Sequence, residues 1–263
     1  MKELHKRFLS SKQMHYEDAV RAAKEYVSKL NSEERKIGIM NKPFNPYNLG
    51  STLRYMYELL NILAVLKIPE NSRILEVGSG PGWVTEILLK LGYFVDALEP
   101  SAEMNDNAKR RISSSLTYQK ELTNKVQHHQ STMEEIEFQD ETFDIILFFD
   151  SLHHVVDEVV AINKSFKFLK KGGFIAVVEG AWKPGNLALE EQLDKEMERF
   201  GTLENPFTTD YLNHLLGDAG FVDLKRYVGI NGYYTKDQQD SLPSSKIWNS
   251  FDHLNNLTAR KPA

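Results

Sequence analysis

Residues 73–100 read RILEVGSGPGWVTEILLKLGYFVDALEP, and the rest of the chain is arranged around them. The apolar run Ile74-Leu75-Glu76-Val77 has the hydrophobicity of a parallel strand buried on both faces. Gly78, Gly80 and Gly82 follow at alternate positions. Trp83 to Leu91 then carries a helical period, with Val84, Ile87, Leu88 and Leu91 expected on one buried face. Gly92 suits the left-handed residue that ends a helix. Phe94 to Leu98 predicts a second strand, closed by Glu99-Pro100. This is half of a mononucleotide-binding βαβ unit. Its glycines let the backbone turn sharply and approach a ligand, and its helix start offers free N–H groups. An acid at the tip of the second strand can accept from both ribose hydroxyls.

Two ligand classes use such a device. Dinucleotide-binding loops read G-x-G-x-x-G, where the last glycine allows close helix–strand packing and the helix end faces a pyrophosphate. Trp83 occupies that last position here and disfavours a nicotinamide dehydrogenase. The glycines instead read G-x-G-x-G, and the ligand need not carry a phosphate. With strand, glycine loop, helix, second strand and acid in this order, the stretch resembles the nucleotide-binding motif of the class I S-adenosylmethionine (SAM) dependent methyltransferases. The resemblance covers roughly residues 72–261, including FDIILFFDSLHHV, FLKKGGFIAVVE and LLGDAGF. It implies an α/β fold, a Rossmann-like doubly wound sheet of seven mostly parallel strands with the last antiparallel. It also implies SAM as cofactor. Gly78, Ser79, Gly80, Gly82 and Trp83 would surround the methionine part, Glu76 would sit near its amino group, and Glu99 with Pro100 would hold the ribose.

Composition bounds the rest. The chain has 263 residues, 41% hydrophobic and 26% charged, as in ordinary globular proteins, and no cysteine, which excludes disulfide and thiolate chemistry. Its formal net charge of -5 argues against nucleic acid as the main partner, since phosphate binding wants a basic face. The start, MKELHKRFLS, lacks the apolar core of a signal peptide, and no apolar run approaches the ~20 residues of a membrane span. A cytoplasmic enzyme is the expectation; the oligomeric state stays open.

Residues 1–68 are expected to form an N-terminal helical cap and lid. Met1 to Leu30 suggests one or two amphipathic helices, Asn31 to Glu34 a break and a helix start, and Asn41 to Gly50 a loop. Ser51 is expected to cap a helix from Thr52 to Leu66, stopped by Pro69. Residues 69–263 are expected to form the SAM-binding domain. After Glu99-Pro100, Ser101 caps a helix from Ala102 to about Ile112. Strands follow at Val126–Gln130 and Thr142–Phe149, then a helix from Val156 to Leu169 closed by Lys170-Lys171-Gly172-Gly173. The lysines would suit that helix's negative end. A fifth strand spans Phe174 to Val178. Helices are expected at Leu187–Phe200 and Thr208–Gly220, a sixth strand at Val222–Val228 and an antiparallel edge strand at Leu254–Arg260. Cover insertions are expected near 180–209 and 233–250.

In open α/β sheets the ligand lies beyond the carboxyl ends of the strands. That rule selects the glycine loop, Glu99, the segment Ser131-Thr132-Met133 with Glu134, the segment Asp150 to His154, and, more weakly, Glu179. In the family an aspartate after the third strand often accepts from the adenine amino group. A hydroxyl of Ser131 or Thr132 could replace it and Met133 could pack on the ring, or the stretch is a turn with a core methionine. Asp150-Ser151-Leu152-His153-His154 would lie beneath the methyl group, facing the acceptor. Adjacent histidines are expected to point different ways. His154, nearer the helix start that would favour its neutral form, is the candidate base, ahead of His153; the alternative is a structural histidine. No acid or histidine spacing forms a convincing metal site, and Asp150 would be the ligand if there were one.

The expected function is methyl transfer from SAM to a small acceptor. The composite of NKPFNP, a helix and the glycine loop, followed by RFGTLENPFTTDYLNHLLGDAGF, resembles methyltransferases associated with bacterial glycan assembly, which implies a sugar or glycan hydroxyl. Phe44, Tyr47, Tyr55, Trp182, Phe207, Tyr233 and Tyr234 could stack on a sugar, or equally suit a core or a flat aromatic acceptor. The alternatives are N- or C-methylation of a small metabolite or natural product, and a SAM-binding sensor or scaffold without turnover.

Overall fold

The computed structural model describes residues 16–30, 32–180, 187–200, 204, 207–227 and 254–263. Residues 1–15, the segment with Trp182, and the segment with Tyr233 and Tyr234 lie outside the described residues. In chain order come α1 (Tyr16–Lys24), α2 (Glu33–Met40), α3 (Leu49–Leu66), β1 (Arg73–Val77), α4 (Trp83–Lys90), β2 (Phe94–Leu98) and α5 (Ala102–Ser115). Then follow β3 (Val126–His129), β4 (Phe143–Phe149), α6 (Glu158–Phe168), β5 (Leu169–Gly180), α7 (Leu187–Phe200), α8 (Thr209–Asp218), β6 (Val222–Tyr227) and β7 (Leu254–Arg260).

The strands form one seven-stranded sheet in the order β3-β2-β1-β4-β5-β7-β6. β3, β2, β1, β4 and β5 are mutually parallel, and β7 pairs antiparallel with both β5 and β6. This is the Rossmann-like doubly wound sheet with an antiparallel last strand that the sequence implies. β7 is not the edge strand, however. Leu257, Thr258 and Ala259 are small or apolar and buried between its neighbours, while β6 carries Asp223, Lys225 and Arg226 and takes the solvent-facing edge.

The central strands are covered on both faces, and β4 shows the period of two that divides the core. Ile145, Leu147 and Phe149 pack with Leu59, Ile62 and Leu66 of α3 and Leu88 and Leu89 of α4. Ile146 and Phe148 pack on the opposite face with Ala161 and Ile162 of α6 and Leu212 and Leu216 of α8.

Local chemistry moved several boundaries. Asn48, not Ser51, caps α3: its side chain accepts from the Ser51 N–H, so the helix begins at Leu49. Leu91 is 54% exposed, and Leu89 is fully buried in its place. The phase of α4 is set at its start, where Thr85 turns inward to Glu76, and Leu91 falls at the cap. Lys170 to Gly173 do not close a helix but begin β5, because Gly172 and Gly173 exchange backbone hydrogen bonds with Lys261 beside β7. The helix before them starts at Glu158, capped by Asp157, and not at Val156. Ser32, Ser101 and Thr208 do cap α2, α5 and α8. No helix of the described residues is long and apolar enough to cross a membrane.

Candidate cofactor and acceptor site

The chain winds outward from β1 through β2 to β3, then returns to β4 on the other side of β1. Such a reversal opens a crevice at the carboxyl ends of the two strands. An open cavity lies there, about 970 Å³ when its solvent-filled mouth is counted. One side is the glycine loop with Glu76, Trp83, Glu99 and Pro100; the other is Phe149, Asp150, Ser151 and His154. Ala19, Ala23, Tyr26, Ile39, Lys42 and Tyr55 complete the wall from the N-terminal helices.

The loop glycines do separate jobs. Gly78 passes so close to the β4 tip that a Cβ there would stand 2.5 Å from Ser151 Cβ. Gly80, at φ +52°, has nothing nearer than Met104 Sδ at 3.6 Å, which leaves open space for a ligand against its backbone. Gly82 is where α4 meets α5, with Ala108 in the way of any side chain. Glu99 accepts from the backbone N–H of Gly80 and of Ser101, each at 2.9 Å. Those two bonds use about half of a carboxylate's acceptor sites. Ser79 is 3% exposed, and its Oγ has no hydrogen-bond partner among the described residues. Its hydroxyl thus has hydrogen-bonding capacity unused by the described residues.

Glu76 is buried and accepts from Thr85 Oγ1. Burial pushes its carboxyl up to about 8, against the Thr85 bond and with help from the Glu99 charge. Burial likewise pushes Glu99 up to about 7, opposed by its two N–H donors. Trp83 packs edge-on against Phe149, centroids 5.3 Å apart, and leans on Tyr55 at 5.9 Å.

Ser131, Thr132 and Met133 line a smaller adjoining cavity that shares Ala23, Gly78, Pro100, Ser151 and His154 with the first. Thr132 Oγ1 accepts from the Glu135 N–H, so it closes a turn, and Met133 is 2% exposed and part of the core. Both therefore have structural work independent of any ligand.

Asp150 adopts φ +53°, a strained value for a residue with a side chain. Its carboxylate is pinned by Lys42 Nζ at 3.2 Å and Tyr55 Oη at 3.0 Å, with Arg54 Nη2 at 3.9 Å. Burial opposes its ionisation, but Lys42, His153 and Arg54 hold its carboxyl well below the usual range. Lys42 and Arg54 also lie over the Tyr55 ring, at 4.7 and 4.6 Å from its centroid. Sequence reasoning had named Tyr55 as an aromatic but passed over Lys42 and Arg54. The loop carrying Lys42 is 108 residues from Asp150, and local pattern cannot report that contact.

His153 and His154 do not diverge as expected. Leu152–His154 is a 3₁₀ turn, which brings the two rings to 3.9 Å between centroids. Both face Glu204, another residue the sequence did not flag: His153 Nε2 at 3.7 Å and His154 Nδ1 at 3.8 Å. His153 Nδ1 lies 2.6 Å from the buried Glu179, which also accepts from the backbone N–H groups of Ser151 and Leu152. Burial disfavours the charged imidazole, yet Glu179 and Glu204 raise His153 to about 10. His154 stands at the cavity wall beside Tyr26, ring centroids 6.4 Å apart. Because α6 starts only at Glu158, no helix end adjoins His154, and the argument that a helix end favours its neutral form falls. Phe44 and Tyr47 are largely exposed and Phe207 is core, so of the aromatics expected over the acceptor only Tyr55 reaches the cavity among the described residues.

Residues 75–177 match the model of a methyltransferase domain family. Among curated proteins, the chain is similar to a ubiquinone biosynthesis O-methyltransferase of Chelativorans sp. (strain BNC1), 28% identical over 202 residues, 71% of this chain and 76% of that protein. It is also similar to an uncharacterized methyltransferase of Schizosaccharomyces pombe, 31% identical over 115 residues, and spans 41% of that protein's length. A third relative is an S-adenosyl-L-methionine-dependent Diels-Alderase of Talaromyces variabilis, 28% identical, of which 63% is spanned. Among solved structures, Haemonchus contortus phosphoethanolamine N-methyltransferase 2 with S-adenosylhomocysteine superposes with a TM-score of 0.65 at 17% identity, covering 91% of this chain and 60% of that one. A SAM-dependent methyltransferase of Thermotoga maritima gives 0.60 at 20% identity, covering 91% and 99%. At such identities the structures share the fold. With the loop and the acid after β2, residues 75–177 match a methyltransferase domain, and the chain has the fold of the class I SAM-dependent methyltransferases. SAM is its cofactor, and the open face of Gly80, the orphaned Ser79 hydroxyl and the spare acceptor sites of Glu99 fit it.

Proposed function

We propose that this protein moves the methyl group of SAM to a hydroxyl oxygen of a small, flat, largely apolar acceptor. The observation that carries the reading is the aromatic and aliphatic part of the cavity lining, Tyr26, Ile39 and Tyr55, with His154 beside Tyr26 as an ionisable group. A sugar or glycan hydroxyl, the acceptor expected from the sequence, is the second reading, favoured by the polar groups of Lys42, Tyr55 and Asp150 in the same lining.

SAM is a sulfonium and already activated, so the protein's task is to align the acceptor in line with the methyl–sulfur bond and exclude water. Glu99 and the glycine loop hold the cofactor. The N-terminal helices, bringing Ala19, Ala23, Tyr26 and Lys42, cover the acceptor. A hydroxyl also has to be ionised, and the His154 wall is where that occurs.

The test supplies SAM labelled in its methyl group together with phenolic, sugar and amine acceptors. Label on a phenolic oxygen is the expected result. His154→Gln should lower kcat roughly 10²–10⁴-fold with SAM binding little changed, the range for losing assistance to proton removal. Label found only on nitrogen or carbon, or SAM bound and never consumed, overturns the reading.

A further inference from the structure

We propose that His153, His154 and Glu204 form a binding site for a divalent transition-metal cation of the zinc type in the wall of the acceptor cavity. His153 Nε2 and His154 Nδ1 each face one oxygen of the Glu204 carboxylate, at 3.7 and 3.8 Å. The three ligand atoms all lie within 4.8 Å of one another. Separations of this size are too long for direct hydrogen bonds. Ligand atoms about 2.1 Å from a shared tetrahedral ion stand about 3.4 Å apart. The two histidine–carboxylate separations thus need to close by only a few tenths of an ångström around a cation, and all three ligand atoms start within 4.8 Å of one another.

A second observation is independent of those distances. The other nitrogen of His153, Nδ1, is 2.6 Å from Glu179 Oε2, and Glu179 is itself fixed by backbone N–H groups of Ser151 and Leu152. A carboxylate behind an imidazole in this way orients the ring, fixes its tautomer and aims the remaining nitrogen at a metal. Two imidazoles and one carboxylate suit zinc and its first-row neighbours; magnesium and calcium prefer all-oxygen sets. Three protein ligands leave a fourth position for a hydroxyl, and His154 lines the cavity that would hold the acceptor.

The catalytic consequence rests on the hydroxyl reading above; the cation site itself does not. A hydroxyl bound to the cation releases its proton to solvent near neutral pH. The resulting oxygen anion attacks the methyl carbon of SAM. The carbon–oxygen bond forms as the carbon–sulfur bond breaks, and the bonding pair stays on sulfur to give S-adenosylhomocysteine. His154 then serves as a ligand, in place of the base expected from the sequence.

The full chain, stripped with a chelator and dialysed, is titrated with Zn²⁺ alone by calorimetry, and with Co²⁺ to read the visible absorption of the bound ion. One Zn²⁺ per chain is expected, undisturbed by excess Mg²⁺. Glu204→Gln should abolish that binding or weaken it by more than the roughly 10–100-fold expected of Glu179→Gln, which removes only the support behind His153. A thermal melt with S-adenosylhomocysteine checks that each variant is folded. Absence of Zn²⁺ and Co²⁺ binding, or Glu204→Gln and His153→Gln proteins that bind like the parent, overturns the site. A protein that takes up Zn²⁺ as expected yet methylates no hydroxyl counts against the proposed function alone.

Discussion

Glu99 shows how one side chain couples the loop to its ligand. It already accepts from Gly80 and Ser101, so it shapes the loop as well as offering acceptor sites to a ribose. Glu99→Ala should weaken SAM by about 1.5–3 kcal/mol, the scale of hydrogen bonds to a charged group. Gly80→Val should cost at least as much. At φ +52° a branched side chain is strained, and it would occupy the space next to the ligand. Gly78→Ala is the contrasting case: its Cβ would meet Ser151, so the loss should appear in the melting temperature of the free protein. Calorimetry on the three variants, set against their melts, separates these roles; normal SAM affinity in folded Glu99→Ala and Gly80→Val would move the cofactor elsewhere.

At the scale of elements, the tip of β4 is held from three directions. The loop after α2 contributes Lys42 to Asp150, α3 contributes Tyr55 and Arg54, and β5 contributes Glu179 beneath the histidine turn. The N-terminal helices reach the cavity through Tyr26, beside His154, and Lys42, on Asp150. We therefore expect Tyr26→Ala and Lys42→Met to raise the acceptor KM roughly tenfold, equivalent to about 1.4 kcal/mol, with SAM affinity little changed. Equal losses for SAM and acceptor would show that this segment braces the whole cavity and does not cover the acceptor alone.

For the whole molecule, the two buried carboxylates of the cofactor site tie stability to pH. Glu76 and Glu99 are raised to about 8 and about 7 from ordinary values of 4.5. The folded, ligand-free protein therefore holds protons that the unfolded chain releases. Their stabilising contribution is complete below pH 4.5 and is lost as pH rises through 7 and 8. SAM, with its sulfonium and ammonium charges, favours both carboxylates ionised. Its affinity should then rise over the same interval, with protons released on binding. Calorimetry in buffers of different ionisation enthalpy measures that release; zero release at neutral pH would mean that both groups are already ionised in the free protein.

The sequence by itself determined the sheet, the glycine loop and the acid after β2. These are written in local order: apolar runs of strand length, glycines at fixed spacing, a cap such as Ser101. It also pointed to the cofactor, through the resemblance carried by those glycines and that acid. Only the tertiary structure decided the other half of the site. Lys42, Arg54 and Glu204 meet Asp150, His153 and His154 from far along the chain, and nothing in their neighbours marks them. A 3₁₀ turn, not the helix expected near Val156, set the direction of both imidazoles. Whether adjacent histidines diverge or converge depends on a few backbone angles, and those are fixed by Glu179 on another strand. The same reason placed β7 inside the sheet: hydrogen bonding could accept it at either position, and burial of Leu257 and Ala259 against exposure of β6 chose between them.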